Sequence, residues 1–447
     1  MIGIHKDLAG RESGQNPIRF AIVGAGQMGV DIVSEVHQMK GIQVSAVADL
    51  ELERARQAYA IAGYPSDRVI CPGSAGEAND ALRAGKFVVT DQPELIPQIE
   101  LVESVVDATG NPEAGAHIAL DCYAHKKNLV MMNVEGDITI GPILRRYAEK
   151  AGVLYTLAAG DEPTALMELY SFAMALGLEI VAAGKGKNNP LNREATPEQS
   201  EAEARRRGLN PMMLVEFVDG SKTMIEMAAV ANAVGLVPDV PNMHGPSTSV
   251  PELNQVFKLK QDGGILNRKG VVDYAVGRVA PGVFLMVGTE HPRLRECLVL
   301  RDMGKGPVYT LFRPFHLCSM EVPLSVAWLS LYGRPTMQPL DQLSAEVTSI
   351  AKRDLVSGEL LEGIGGRTHH AGLMIYGEAR SQKAVPIGLA KGARVLRPIP
   401  KGTLICYDMV EVRKDTLIYR LRQEQDDFRG ERPKAVVQSG LIPRRIK

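Results

Sequence analysis

Residues 18–49 read IRFAIVGAGQMGVDIVSEVHQMKGIQVSAVAD, and no other stretch constrains the fold as tightly. IRFAIV is a continuous apolar run, as expected of a strand buried on both faces of a sheet. Gly24-Ala25-Gly26-Gln27-Met28-Gly29 follows at once, and Met28, Ile32, Val33 and Val36 then recur at helical spacing until Gly41. IQVSAVA reads as a second strand and ends in Asp49, twenty positions past Gly29. A strand, a glycine turn, a helix and a second strand closed by an acid form the pattern of a dinucleotide-binding βαβ unit. Gly24 allows the tight turn, Gly26 lets a pyrophosphate approach, and Gly29 allows close helix–strand packing. The unpaired N–H groups of the helix start, at Gln27 and Met28, then face the phosphates.

Asp49 bears on which dinucleotide binds. A carboxylate there accepts hydrogen bonds from a ribose 2′-hydroxyl and repels a 2′-phosphate, which favours NAD(H) over NADP(H). Arg54 and Arg56 follow closely and keep NADP(H) open. The alternation then continues. FVVT (87–90), ESVVDATG (103–110) and LVMMNVE (129–135) read as strands, and PEAGAHIALDCYAHKKN and GPILRRYAEKAG as helices. This rhythm predicts an α/β fold with a doubly wound parallel sheet. Ligands bind beyond the carboxyl ends of such strands, so Thr109, Gly110, Asn133 and Glu135 are expected at the cofactor, with ordinary caps and turns as the other reading.

Bulk composition bounds the rest. At 447 residues the chain is too long for one ordinary core. Hydrophobic content of 45%, charged content of 23% and Lys+Arg 51 against Asp+Glu 52 predict a soluble protein without general affinity for nucleic acid or membrane. The five cysteines are scattered and form no CxxC pair, which fits reduced thiols and a cytoplasmic location. The polar N-terminus lacks the apolar core of a signal peptide, and no apolar stretch approaches the ~20 residues of a membrane span.

The second region carries candidate chemistry. VLYTLAAGDEPTALMELYSFA (153–173) reads as strand, turn and helix and sets Asp161 beside Glu162 at the helix start. Such a pair complements the helix dipole, holds a divalent cation such as Mg2+, or serves in proton transfer. AAGKGKNNPLN (182–192) follows an apolar run and has Lys185, Lys187, Asn188, Asn189 and Asn192 with no acid among them. Its glycines give the backbone room to approach a ligand, so the stretch reads as an anion site at a strand end or as a solvated turn. TPEQSEAEARRRG opens with a capping box at Thr196 and Gln199. LVEFVDGSKTMIEMAAVANAVG reads as strand, turn and helix, with Ser221 as cap and Lys222 at the mouth. NMHGP brings in His244, and YTLFRPFHLCSMEVP gathers Arg313, His316, Ser319 and Glu321. Lys185 or Lys187 would hold a phosphate or carboxylate or move a proton, with Lys222 and Arg313 as further anion clamps and Asn188 and Ser221 as substrate contacts.

From Ser344 onward, short apolar runs are broken by Gly and Pro, as in a small all-β unit. KRDLVSGELL and RPIPKGTLICYDM resemble a SAF module, the β-clip unit of antifreeze-like proteins. The sequence thus divides into 1–152, the nucleotide-binding domain; 153–343, the central catalytic and dimerisation domain; 344–412, the SAF-like module; and 413–447, a charged helix and tail. The order of nucleotide fold, AGDEP, AGKGKNNPLN, VEFVDGSKTMIEMA, RPFHL and SAF-like module resembles the homoserine-dehydrogenase-like oxidoreductases that include the 1-deoxy-D-xylulose 5-phosphate reductoisomerase-like enzymes. The resemblance implies a homodimer and reduction of a rearranged phosphosugar to 2-C-methyl-D-erythritol 4-phosphate. It also implies catalytic and phosphate groups among Lys185, Lys187, Asn188, Lys222, Arg313 and His316, and a metal pair at Asp161 and Glu162. Asp49 departs from the NADPH use of the isoprenoid enzymes. A second expectation is therefore an NAD-dependent homoserine-type or polyol/hydroxy-acid dehydrogenase. A third is a nucleotide-binding sensor without turnover.

Overall fold

The computed structural model describes residues 3–188 and 191–428. Asn189 and the expected tail beyond 428 lie outside the described residues. Seven parallel strands make the first sheet: β1 (Ile18–Val23), β2 (Ile42–Ala48), β3 (Val69–Ile70), β4 (Phe87–Thr90), β5 (Ser104–Asp107), β6 (Asn128–Met131) and β7 (Tyr155–Leu157). Their spatial order is β3-β4-β2-β1-β5-β6-β7. The order reverses at β1, where β2 leaves to one side and β5 to the other, and the glycine turn emerges at that switch point. Helices Ile4–Ser13, Gln27–Gln38 and Leu52–Ile61 bury one face with Ile32, Val33, Val36 and Tyr59 against Ile18, Phe20 and Ile22. The helix Val322–Tyr332 returns from far along the chain to complete that cover, with Val326 and Leu329 in the same cluster.

The first sheet runs past the expected boundary at 152. β7 pairs with β6, Leu129 opposite Tyr155, so the turn that carries Asp161 and Glu162 leaves the same sheet edge as the glycine loop. LVMMNVE is shorter as a strand than its sequence suggests. Strand geometry stops at Met131, and the Asn133 side chain accepts the Gly136 N–H at 3.0 Å to start the helix Val134–Ala151.

The second sheet is mixed. It has β8 (Glu179–Lys187), β9 (Val237–Pro238), β10 (Val271–Val276), β11 (Val283–Gly288) and β12 (Val308–Arg313), in the order β12-β11-β8-β10-β9. Helices Glu162–Ala175 and Ser221–Val234 pack against it. LVEFVD is helical rather than extended, within Pro211–Asp219. Asn210 caps it by accepting the Met212 N–H at 2.9 Å, and Pro211 takes the first turn. A short apolar run alone does not separate the two states.

After 344, β13 (Ala345–Ala351) and β14 (His369–Ile375) form an antiparallel hairpin, joined by short pairings such as Ile350 with Leu404 and Leu355 with Ile399. The short strands come with one helix, Tyr376–Ser381, and the unit's own apolar cluster is small, Met374, Ala379 and Ala384 with Leu404. Val347, Leu373, Val385 and Ile405 share one apolar cluster with Val105 and Leu129 of the first sheet and Met224 and Ala228 of the central helix. The helix Leu417–Asp427 closes the chain against Val134–Ala151. Its Arg422, closed to solvent, pairs with Glu346 of β13 and with Asp426 at 2.9 Å. No described helix is long and apolar enough to cross a membrane.

Candidate active site

The three glycines of the turn each meet the demand set for them. Gly24 has φ +107°, and a Cβ there would lie 2.6 Å from the Ala108 carbonyl oxygen. A Cβ on Gly29 would lie 2.1 Å from the Gly24 oxygen. A Cβ on Gly26 would meet nothing within 4 Å, so the open side of the loop is where a pyrophosphate has room. Gln27 begins the helix, exposed, with Met28 behind it and no side-chain cap covering their N–H groups. Asp49 reaches back across the crevice: one carboxylate oxygen accepts the Ala25 N–H at 2.8 Å and the other accepts the Glu51 N–H at 2.9 Å. Each oxygen keeps a lone pair for a ribose hydroxyl. Arg54 is turned to Glu51 at 2.7 Å. Thr109 gives its N–H and hydroxyl to Asp107, while Gly110, at φ +61°, leaves open space beside it.

Past the end of β7, Gly160 adopts φ +103° with Cys318 pressed on it, and the Cys318 N–H donates to the Gly160 oxygen at 2.8 Å. This contact sets the 316–321 turn against Asp161 and Glu162. Ser319 ties the same turn to Asp31 of the dinucleotide helix at 3.0 Å. Asp161, Glu162 and His316 each offer a ligand atom, and those atoms lie within 4.8 Å of one another. His316 Nδ1 lies 2.8 Å from the Pro281 carbonyl, which can only accept, so Nδ1 carries the proton. Its Nε2 then faces Glu162 Oε2 at 3.6 Å. Two carboxylates and an imidazole whose second nitrogen is fixed by a backbone carbonyl fit a divalent cation.

The lysines occupy the middle of this acid cluster rather than a turn. Lys185 and Lys187 lie inside β8 and share one face. Gly184 and Gly186 face the other way, where a Cβ would strike Phe284 at 2.4 Å and the Ala280 nitrogen at 2.1 Å. The glycines therefore admit protein, not ligand. Lys185 Nζ pairs with both Glu162 and Glu226, all three nearly closed to solvent. Lys222 Nζ stands 3.6 Å from Glu135, 3.5 Å from Asp161 and 4.0 Å from Glu226. Lys187 Nζ donates to the Phe217 carbonyl, and among the described residues no carboxylate pairs with it. Asn188 follows the strand, exposed. Four carboxylates (Asp161, Glu162, Glu226, Glu135) thus surround two ammonium groups, so these lysines are already paired with acids of the protein.

Burial sets the proton affinities. It pushes the Asp161 carboxyl up to about 6, against the pull of Lys222. Burial also acts on Glu162, but Lys185 overcomes it and holds that carboxyl well below the usual range. Glu226, buried and facing Glu162, is pushed well above it. Burial opposes the charge on Lys222 too, but Glu135 and Asp161 hold the ammonium well above the usual lysine range. Lys187 goes the other way: burial, then repulsion from Lys185, brings it down to about 8.

Several expected roles change with this geometry. Arg313 is no free anion clamp, since it binds Glu321 at 2.7 Å and Glu168 at 3.2 Å. Ser221 does not cap its helix; it is buried, and its hydroxyl accepts the Ala371 N–H at 2.9 Å. Glu135 lies beyond the carboxyl end of β6 and faces Lys222 at 3.6 Å. His244 is structural, held by Asp239 at 2.8 Å. Sequence reasoning missed Glu226, an acid hidden in the apolar run MIEMAAVANAV, and Glu216, whose carboxyl burial and Glu135 push up to about 8.

Residues 160–322, which hold all of this cluster except Glu135, match the family described as Oxidoreductase DRL, catalytic domain. The chain thus carries a stretch similar to an oxidoreductase catalytic domain. No curated protein matches it. Among solved structures, a probable dehydrogenase from Thermotoga maritima is similar at 11% identity over 71% of this chain and 90% of its own, with a TM-score of 0.41. A scyllo-inositol dehydrogenase from Lactobacillus casei, solved with NAD(H) and scyllo-inositol, is similar at 11% identity over 66% and 76%, with a TM-score of 0.36. A DOX-P reductoisomerase in complex with magnesium is similar at 15% identity over 47% and 56%, with a TM-score of 0.30.

Proposed function

We propose that the protein transfers hydride between a nicotinamide and a small hydroxy-carbonyl compound bound at a divalent cation. The supporting observation is that the turn bearing Asp161 and Glu162 leaves the same edge of the first sheet as the glycine loop, and His316 meets that pair from the turn after β12 of the second sheet. The dinucleotide supplies hydride, and Asp49 favours NAD(H). A cation held by Asp161, Glu162 and His316 would polarise a substrate carbonyl. Lys222, between Glu135 at the sheet edge and Asp161, stays charged and hydrogen-bonds the substrate oxygen. Lys187, titrating near 8, is the group suited to exchange a proton with that oxygen.

The finer reading is a phosphorylated ketose of the deoxyxylulose type, handled by a homodimer; it rests on the sequence resemblance, as does the SAF identity of the 344–412 unit. Lys187 and Asn188 are then the groups left to meet the phosphate, because Lys185, Lys222 and Arg313 are paired with carboxylates. That same pairing favours a second reading, an unphosphorylated polyol or hydroxy acid. Oxidation of NADPH and NADH, followed separately with deoxyxylulose 5-phosphate and Mg2+, tests the first. The reverse reaction with NAD and a panel of polyols and hydroxy acids tests the second. Turnover of neither class, with or without a divalent cation, would sink the proposal.

A further inference from the structure

Lys352 sits on the C-terminal β unit just beyond β13, with its ammonium closed to solvent. It hydrogen-bonds two backbone carbonyls and forms an ion pair with a carboxylate, the three oxygens coming from three separate segments. They are the Ala195 carbonyl at 2.9 Å, the Gly366 carbonyl at 2.7 Å and the Asp219 carboxylate at 2.8 Å. Asp219 in turn accepts the Ser221 N–H at 2.7 Å, and Ser221 accepts the Ala371 N–H of β14. Asn192 donates its N–H to the Val218 carbonyl at 2.9 Å. The turn 217–222 is thus gripped by the hairpin on one side and by the segment after β8 on the other. That turn carries both the Phe217 carbonyl that receives Lys187 and the backbone of Lys222. A buried ammonium held by two carbonyls and a buried carboxylate is costly to disturb, so the grip is firm.

We propose that the C-terminal β unit is a working part of the active site, with Lys352 as the positioning residue that fixes where Lys187 sits. The unit is joined to the catalytic domain by polar contacts that converge on one turn and by a shared apolar core. The inference rests on the reading of Lys187 as the proton-transfer group. The charged groups that face Lys187 are Lys185, Asp219 and Glu226. Lys352 reaches it only through Asp219 and the turn.

This arrangement makes an unusual demand on two variants. Lys352→Met leaves Asp219 uncompensated, so its negative charge acts more strongly on Lys187 and raises that lysine's proton affinity. Asp219→Asn removes the negative charge while Lys352 stays, and lowers it. A purely structural role for the pair gives no such opposition. The test is a 13Cε-lysine NMR titration of the full-length protein, with the Lys187 signal assigned by its loss in Lys187→Arg. Midpoints that move in opposite directions support the proposal. An unchanged midpoint in both variants, or movement in the same direction, overturns it. If Lys352→Met does not fold, Lys352→Gln, which keeps donors for the Ala195 and Gly366 carbonyls, takes its place: a raised midpoint supports the proposal and an unchanged one overturns it. The readout is Lys187 itself, so it is independent of turnover. Failure of the proton-transfer reading would show separately, as a Lys187→Met variant with an unchanged pH–rate profile.

Discussion

Lys185 of β8 and Glu226 of the helix Ser221–Val234 form an ion pair with side chains only 6% and 1% exposed. Glu162 adds a second carboxylate to the same ammonium. Without the lysine, two buried carboxylates would face each other with no cation between them. Lys185→Met should therefore lower stability by about 3–5 kcal/mol, the cost of breaking a buried pair from one side. Urea denaturation measures it. A loss under about 1 kcal/mol, typical of exposed pairs, would contradict this account.

Gly26 and Gly29 lie three residues apart and should behave in opposite ways. Gly29→Ala drives a methyl into the Gly24 oxygen and should destabilise by about 1–3 kcal/mol, read as a fall in Tm. Gly26→Ala meets no atom, so Tm should hold while dinucleotide affinity, measured by fluorescence titration, falls.

Asp49→Ser removes the carboxylate that faces the ribose hydroxyls. The ratio of kcat/KM for NADH over NADPH should fall about tenfold, corresponding to one charge-assisted hydrogen bond of roughly 1.5 kcal/mol. Steady-state kinetics with both cofactors checks it. No change would mean that Asp49 serves only its own contacts to Ala25 and Glu51.

Lys187, brought down to about 8, sets the sign of a pH effect. Reduction needs it charged, so that rate should fall as pH rises through about 8; oxidation needs it neutral and should rise through the same point. Stability follows from linkage. Between about 8 and the ordinary lysine value, the unfolded chain binds the proton more readily than the folded one, so stability should increase with pH across that window. Both effects should vanish in Lys187→Met.

Much of this was legible in the chain. The glycine turn, the acid after β2 and the βαβ rhythm are local patterns, set by backbone sterics and side-chain periodicity, and the first sheet follows them closely. Asp161, Glu162 and His316 were also visible as candidates, because acids and a histidine beside prolines stand out in an apolar context. The environment of the lysines was not. Lys185 finds its partners 23 and 41 residues away in sequence, and nothing near AAGKGKN announces them. One signal was available: lysine and glycine alternate with period two in AAGKGK, the mark of a strand with one bare face. Glu226, a single acid in an otherwise apolar helix, was a second, since such a group is buried only with a partner. The charge balance of the cluster therefore emerges from tertiary packing, and the lysines of a stretch that looks ready for an anion meet carboxylates and a backbone carbonyl of the protein itself.

Mn2+ binding separates a cation site at Asp161, Glu162 and His316 from a cluster that holds no ion. Titration of the full-length protein with Mn2+, followed by the electron paramagnetic resonance signal of the free ion, should show one bound ion per chain. Binding should be lost in Asp161→Asn and in His316→Gln while both variants keep their fold. No binding by the unaltered protein, or equal binding by all three, would contradict the account.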